Sequence, residues 1–215
     1  MTTHSNLGRL GYGAAIVVAV IAAGLLVPGC ATEKPDPAPS APASRGVDRV
    51  GYAYWSQHGR IVRTDADAAN AMGFAPASLQ DPAGRKKTGA VAVVGPDSDP
   101  RAPHWLLQFY DGFEFHQQRL ASAEQASELV DSENDAESLG VKQGLAREVT
   151  VRGHKGYAWD KASNQPLETI DGGTLLANLN HAAVVWSEGE MFYALISYDE
   201  IKSSELMMVA RSMKR

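Results

Sequence analysis

Cys30 is the only cysteine among 215 residues, so all thiol chemistry is concentrated at one position. With no second cysteine, the chain has no internal disulfide and no thiolate set for zinc. Histidines outside the leader stand at 58, 104, 116, 154 and 181. None of His58, His104, His116, His154 and His181 is paired with another at the i, i+4 spacing of a helix face or the i, i+2 spacing of a strand face. They are therefore expected to be surface or loop residues, and no metal or cofactor is expected. Asp97 and Asp99 open like a calcium loop, but Pro100-Arg101 and the missing Gly and Glu break that pattern, leaving a solvated turn. Gly84 to Thr88 ends in Lys-Thr without the glycine spacing of a phosphate loop, and no Gly-x-Ser-x-Gly occurs. No catalytic residue is expected, and the chain is read as a non-enzyme. One set of side chains fits an apolar ligand: Trp105, Phe109, Phe113, Phe115, Trp159, Trp186 and Tyr193. Aromatic residues on strands also serve as plain core, which is the simpler reading of the same set.

The segment before Cys30 gives it a role. Ala14 to Val27 is uncharged and follows a short leader containing Arg9, the order of an export signal. Fourteen helical residues reach about 21 Å at ~1.5 Å per residue, short of the ~30 Å hydrocarbon core, so a permanent span is the weaker reading. Leu26-Val27-Pro28-Gly29-Cys30 resembles the lipobox of bacterial lipoproteins, with Val27 where leucine is usual and Pro28 in place of a small residue. The resemblance implies cleavage before Cys30 and a diacylglyceryl group with palmitate-type acyl chains on its sulfur. Two or three chains on one residue hold stably at ~0.8 kcal/mol per buried methylene, whereas one holds only marginally. The expected location is the extracytoplasmic face of the cell membrane. Ala31 is not an acidic retention signal, so delivery to an outer membrane is allowed where the cell has one.

Behind this anchor, residues 31–46 carry Pro35, Pro37, Pro39 and Pro42 among small residues, the composition of a flexible polyproline-like spacer. At ~3.1 Å per residue it reaches about 50 Å. The expected organisation is a signal peptide over 1–29, a lipidated linker over 30–46 and a single domain over 47–215. With 44% apolar and 21% charged residues, that domain can bury a core. The net charge of −5, or −6 once Arg9 is removed with the leader, argues against nucleic acid.

The domain reads as α+β: an antiparallel, partly curved β-sheet with helices packed on one face and a helix at the C-terminus. Val47 to Ile61 is expected to form a strand or loose hairpin around Gln57-His58-Gly59. Thr64, Asp65 and Asp67 followed by Gly73 predict a short helix over Asp65–Met72. Asp81 to Gly89 reads as a loop, and Ala90 to Val94 as a strand. His104 to Tyr110 and Phe113 to Gln118 read as strands. A three-residue turn with Gly112 left-handed would put Trp105, Leu107, Phe109, Phe113 and Phe115 on one face and Gln108, Glu114 and His116 on the other. Ser122 with Gln125 is a capping box for a helix buried through Ala126, Leu129 and Val130, fraying over Asp131 to Glu137. Strands are expected at Glu148 to Arg152 and Gly156 to Trp159 around Gly153-His154-Lys155, then irregular chain to Asn180. Ala182 to Trp186 and Met191 to Ser197, turning at Ser187-Glu188-Gly189, should lie centrally in the sheet. A final helix, capped by Ser203 or Asp199, buries Leu206, Val209, Ala210 and Met213. Equal spacing from Gly112 to Ser122 and from Gly189 to Asp199 suggests a duplicated hairpin-helix unit.

Gly73-Phe74, Pro76, Gly153, Ala158, Trp186, Gly189, Tyr193, Glu205-Leu206, Ala210 and Ser212 carry a second resemblance. The stretch from Thr64 to Met213 resembles a domain of unknown function in bacterial lipoproteins and in anti-sigma-factor-related and sporulation-associated envelope proteins. The Gly95 to Arg101 loop and the Lys161 to Asn180 insertion depart from its compact pattern. The resemblance implies an extracytoplasmic interaction or sensing module or, through half-barrel relatives, a carrier for a lipid or other apolar ligand. The partners implied are the membrane and either an envelope protein or that ligand.

Overall fold

A computed structural model describes residues 52, 55–57, 59–81, 83–93, 105–134 and 141–214. Cys30, the proline-rich segment, His58, His104, Asp97 and Asp99 lie outside the described residues.

Eight strands form one open antiparallel sheet in the order β1-β2-β3-β4-β10-β9-β6-β5. They are β1 (Arg60–Ile61), β2 (Lys87–Val93), β3 (Trp105–Tyr110), β4 (Phe113–Arg119), β5 (Arg147–Val151), β6 (His154–Trp159), β9 (Ala182–Glu188) and β10 (Met191–Ser197). A separate two-stranded ribbon pairs β7 (Ala162–Glu168) with β8 (Thr174–Leu179). The helices are α1 (Asp65–Met72), α2 (Ala123–Ser132) and α3 (Ser203–Arg211). Among the described residues no helix is long and apolar enough to cross a membrane. The class, the antiparallel sheet, the C-terminal helix and the central place of β9 and β10 are as the sequence led us to expect.

Local chemistry explains the helix bounds. Thr64 is extended and its hydroxyl accepts from the Asp67 amide, while Gly73 closes α1 at φ 71°. Ser122 accepts from the Gln125 amide at 3.2 Å and starts α2. For α3 neither Ser203 nor Asp199 is the cap. Lys202 holds that position without a side-chain bond, and the Ser203 amide donates instead to Asp160 Oδ1, 2.6 Å away at the end of β6. A carboxylate from a distant strand thus satisfies a donor the local sequence leaves open.

Helices cover both faces rather than one. α3 packs Leu206, Val209, Ala210 and Met213 on Phe113, Phe115, Val184, Trp186, Tyr193 and Leu195. α1 joins it on that face through Met72 and Ala68, which meet Ala90, Ala92 and Leu106. On the opposite face α2 sets Leu129 and Val130 against Tyr157, Trp159, Val185, Phe192 and Ala194. Tyr52 and Trp55 cover Val91, Leu107 and Phe109 on the same side.

Covering on both sides reverses the register expected for β3 and β4. Asp111-Gly112 is a two-residue turn with Gly112 at φ 93°, pairing Phe109 with Glu114 and Tyr110 with Phe113. Trp105, Leu107 and Phe109 therefore share a face with Glu114 and His116, while Phe113 and Phe115 point the other way with Gln108. A scatter of apolar side chains over two faces carries no penalty when both are buried.

Other boundaries move for similar reasons. Tyr52 and residues 55–57 are helical, not a strand, and among the described residues of that segment only Arg60–Ile61 pairs with the sheet. β2 begins at Lys87, inside the expected loop. Arg152 (φ 53°) and Gly153 (φ 89°) make a two-residue turn, so β6 starts at His154. The turn between β9 and β10 falls at Gly189-Glu190, one step later than expected. The stretch expected to be irregular up to Asn180 is the β7–β8 ribbon, with its own small core of Val141, Leu167 and Ala177. The suggested duplication stops at the strands: β4 lies beside β10, but α2 and α3 pack on opposite faces, whereas a rotation superposing the hairpins keeps both helices on one.

A polar strip on the central strand

On the α2 face, β4 presents Glu114, His116 and Gln118 at successive i, i+2 positions. This strand is fourth of eight and its neighbours on that face are apolar, so three polar side chains in a row are out of character. Pairing fixes their surroundings. Glu114 lies in line with Phe109 on one side and with Ile196, Ala183 and Trp159 on the other. His116 lies in line with Leu107, Ala194, Val185 and Tyr157, and Gln118 is flanked by Trp105 and Phe192. The strip runs between the two coverings of this face, the Tyr52–Trp55 segment over β2 and β3 and α2 over β6, β9 and β10.

Glu114 Oε2 and His116 Nε2 are 2.8 Å apart, and both residues are buried. With the carboxylate ionised, Nε2–H donates and the imidazole is held in one orientation, leaving Nδ1 as its second nitrogen. The Trp105 ring lies 6.0 Å from that of His116. Farther across this face His181 is 5.8 Å from the ring of Trp159 and 5.6 Å from that of Tyr198. Four atoms on this face are buried with no hydrogen-bond partner: Trp105 Nε1, Gln118 Oε1, Trp159 Nε1 and His181 Nε2. Buried polar groups of folded proteins are nearly always partnered, and these four fall into two separate pairs, Trp105 with Gln118 across β3 and β4, and Trp159 with His181 at β6 and the start of β9.

His181 Nδ1 lies 2.8 Å from Asn180 Oδ1, which assigns the proton to Nδ1 and a lone pair to Nε2. Burial, with the charges of His116 and Lys161 acting in the same direction, pushes its pKa down from 6.5 to about 4. The unfolded chain then binds the proton more readily, and the folded state loses stability as pH falls from about 6.5 to about 4. Glu133, at the end of α2, acts oppositely, since burial raises its pKa from 4.5 to about 7. Each amounts to about 3 kcal/mol across its window, and the two nearly cancel between pH 4.5 and 6.5. His181→Asn removes only the falling contribution. Urea unfolding at pH 7.5 and pH 5 should therefore show the variant gaining stability relative to the parent on acidification. Parallel responses in the two proteins would refute the assignment.

No protein-family model and no curated protein matches this chain. Function is thus read from the site itself.

The seven aromatic residues do not line one space. Phe113, Phe115, Trp186 and Tyr193 share the α3 face, where Phe115, Trp186 and Tyr193 stack with centroids 5.2 to 6.3 Å apart as the centre of the core. Phe109 packs under Tyr52 and Trp105 lies beside His116 on the other face, while Trp159, on that same face, packs near His181 three strands from β4. The histidines also divide. His154 is exposed, but His116 and His181 are buried, contrary to expectation. Among the described residues no three His, Cys, Asp or Glu side chains stand close enough to hold a metal ion. Sequence reasoning placed Glu114 and His116 on one face but not beside Trp105. The signal was present as the alternation Glu-x-His-x-Gln, and its meaning depended on β4 being central.

Proposed function

We propose that the protein is an extracytoplasmic lipoprotein, held to the membrane by diacylglycerol and acyl chains on Cys30. Its sheet serves as a non-enzymatic interaction or sensing module of the cell envelope. The observation that carries this is a lone cysteine directly after an uncharged apolar run and directly before a proline-rich spacer. The resemblance to envelope lipoprotein domains agrees with it. The spacer sets the domain, residues 47–215, a linker's length from the bilayer. The alternative reading is a carrier for a lipid or other apolar ligand; the aromatic residues offered for it divide between the two faces of the sheet.

In cells fed radiolabelled palmitate, the parent chain should take up label and sediment with membranes. Cys30→Ala should stay unlabelled and move to the soluble fraction with an unchanged melting temperature. A parent chain that excludes the label, or whose processed N-terminus is not Cys30, would overturn the proposal.

A further inference from the structure

We infer that the free edge of β8 is a self-pairing surface: two copies of this chain join their β7–β8 ribbons through β8, antiparallel, about a two-fold axis at Leu176. The inference rests on the reading of the domain as an interaction module and is independent of its anchor.

The turn of the ribbon determines which main-chain groups are free. The Thr169 amide donates to the Gly173 carbonyl at 3.1 Å, so bonded pairs alternate from there through Leu167–Leu175 to Gln165–Ala177. Thr174, Leu176 and Asn178 consequently turn their N–H and C=O groups away from β7. The outer side of β7 is closed, because Pro166, opposite Leu176, has no N–H and the Glu168 carbonyl accepts from the Lys142 amide at 2.8 Å. Among the described residues nothing pairs with the outer side of β8.

Exposed edges are normally blunted by charge, by proline or by brevity. β1 has two residues, and β5 carries Arg147 and Glu148. β8, Thr-Leu-Leu-Ala-Asn-Leu, has none of these devices, and its Leu175 and Leu176 are exposed. An uncharged edge meets its own copy without opposing like charges. Centred on Leu176, the pairing sets Leu176 beside its copy and Thr174 beside the second copy's Asn178, and this register alone uses every outward group of both strands. Asn178 Oδ1 accepts from the Asn164 amide at 2.8 Å, which leaves its NH2 group to donate to the second copy's Thr174 hydroxyl. Pro166, Leu176 and their copies then form one apolar row across four strands, covering leucines that a lone ribbon leaves in water. No charge on β8 selects a foreign strand, whereas its side chains match their own copies.

A seam this short belongs with the weak interfaces under ~1,200 Å², so its occupancy rises with concentration. Sedimentation of the full chain should give a mass climbing towards twice that of the monomer. Leu176→Lys puts two like charges on the axis and should weaken self-association about tenfold or more. It should keep the parent's urea midpoint, because Leu176 is 55% exposed. In the full chain carrying Cys30→Ala, Leu176→Cys should form a disulfide with its copy, since bonded strand pairs stand ~5.5 Å apart between Cα atoms, within disulfide reach. Ile170→Cys, exposed at the tip of the ribbon and far from the axis, should stay monomeric. A parent chain that is monomeric at every soluble concentration would overturn the inference, and an edge reserved for a foreign peptide gives that result. So would a dimer that Leu176→Lys leaves intact, or equal cross-linking at positions 176 and 170. Failure here leaves the lipid anchor standing, and failure of palmitate labelling leaves these measurements unaffected.

Discussion

Glu188→Ala should unfold at markedly lower urea, with a loss of about 2–3 kcal/mol. Glu188 is buried at the end of β9, and its Oε1 accepts from Trp186 Nε1 at 3.1 Å and from Arg152 Nε at 3.0 Å. Arg152 continues the chain of contacts by donating from Nη1 to the Met213 carbonyl, just beyond α3. Truncating Glu188 therefore orphans an indole N–H on a fully buried tryptophan and leaves a guanidinium without its counter-charge. Breaking a buried pair costs about 3–5 kcal/mol, and the figure here is reduced because a third of the Arg152 side chain meets solvent. Glu188→Gln keeps an acceptor for Trp186 and should lose less than Glu188→Ala. Equal losses in the two variants, or a midpoint shift worth under 1 kcal/mol with unchanged m, would show that the pair contributes little.

Gln117→Ala should be comparably damaging, at about 3 kcal/mol, although no charge is involved. The Gln117 side chain is completely buried on the α3 face of β4. Its Oε1 accepts from the Ala77 amide at 2.7 Å and its Nε2 donates to the Ala77 carbonyl at 3.1 Å. The amide thus imitates a strand neighbour and ties the segment after α1 to the sheet, where Ser78 pairs with Lys214. Removing it strands two main-chain groups out of reach of water, at about 1–3 kcal/mol each. Hydrogen exchange should locate the effect, with faster exchange at Ala77 and Ser78 and little change in β9. Protection retained at Ala77 would show that another group takes over its bonds.

Elements governed by neighbours in sequence were legible, and those governed by distant partners were not. Thr64 with Asp67, and Ser122 with Gln125, are three residues apart and mark the starts of α1 and α2. The cap of α3 comes from Asp160, forty-three positions earlier, which no local pattern displays. The β3–β4 register was misjudged because alternation shows which side chains share a face but not whether the second face is covered. The same gap hid the site. Glu114 and His116 were visible as a polar face, which is ordinary on an edge and anomalous only on the fourth of eight strands. Trp159 and His181, on the same face, arrive through β6 and the chain before β9, and Gly156 is what lets those strands meet. A Cβ there would stand 2.3 Å from the Val185 carbonyl oxygen.

The seam between β4 and β10 also governs when the molecule can be finished. It joins Phe113–Arg119 to Met191–Ser197, with α2 and β5 to β9 lying between them in the chain. α2 and β5 to β9 must all be made before the middle of the sheet can close. Until then the first hairpin emerges with one flank of β4 unzipped, an open ladder of amides and carbonyls awaiting a segment not yet translated. The nascent protein must stay unassembled, or be shielded from sister chains, until β10 is made.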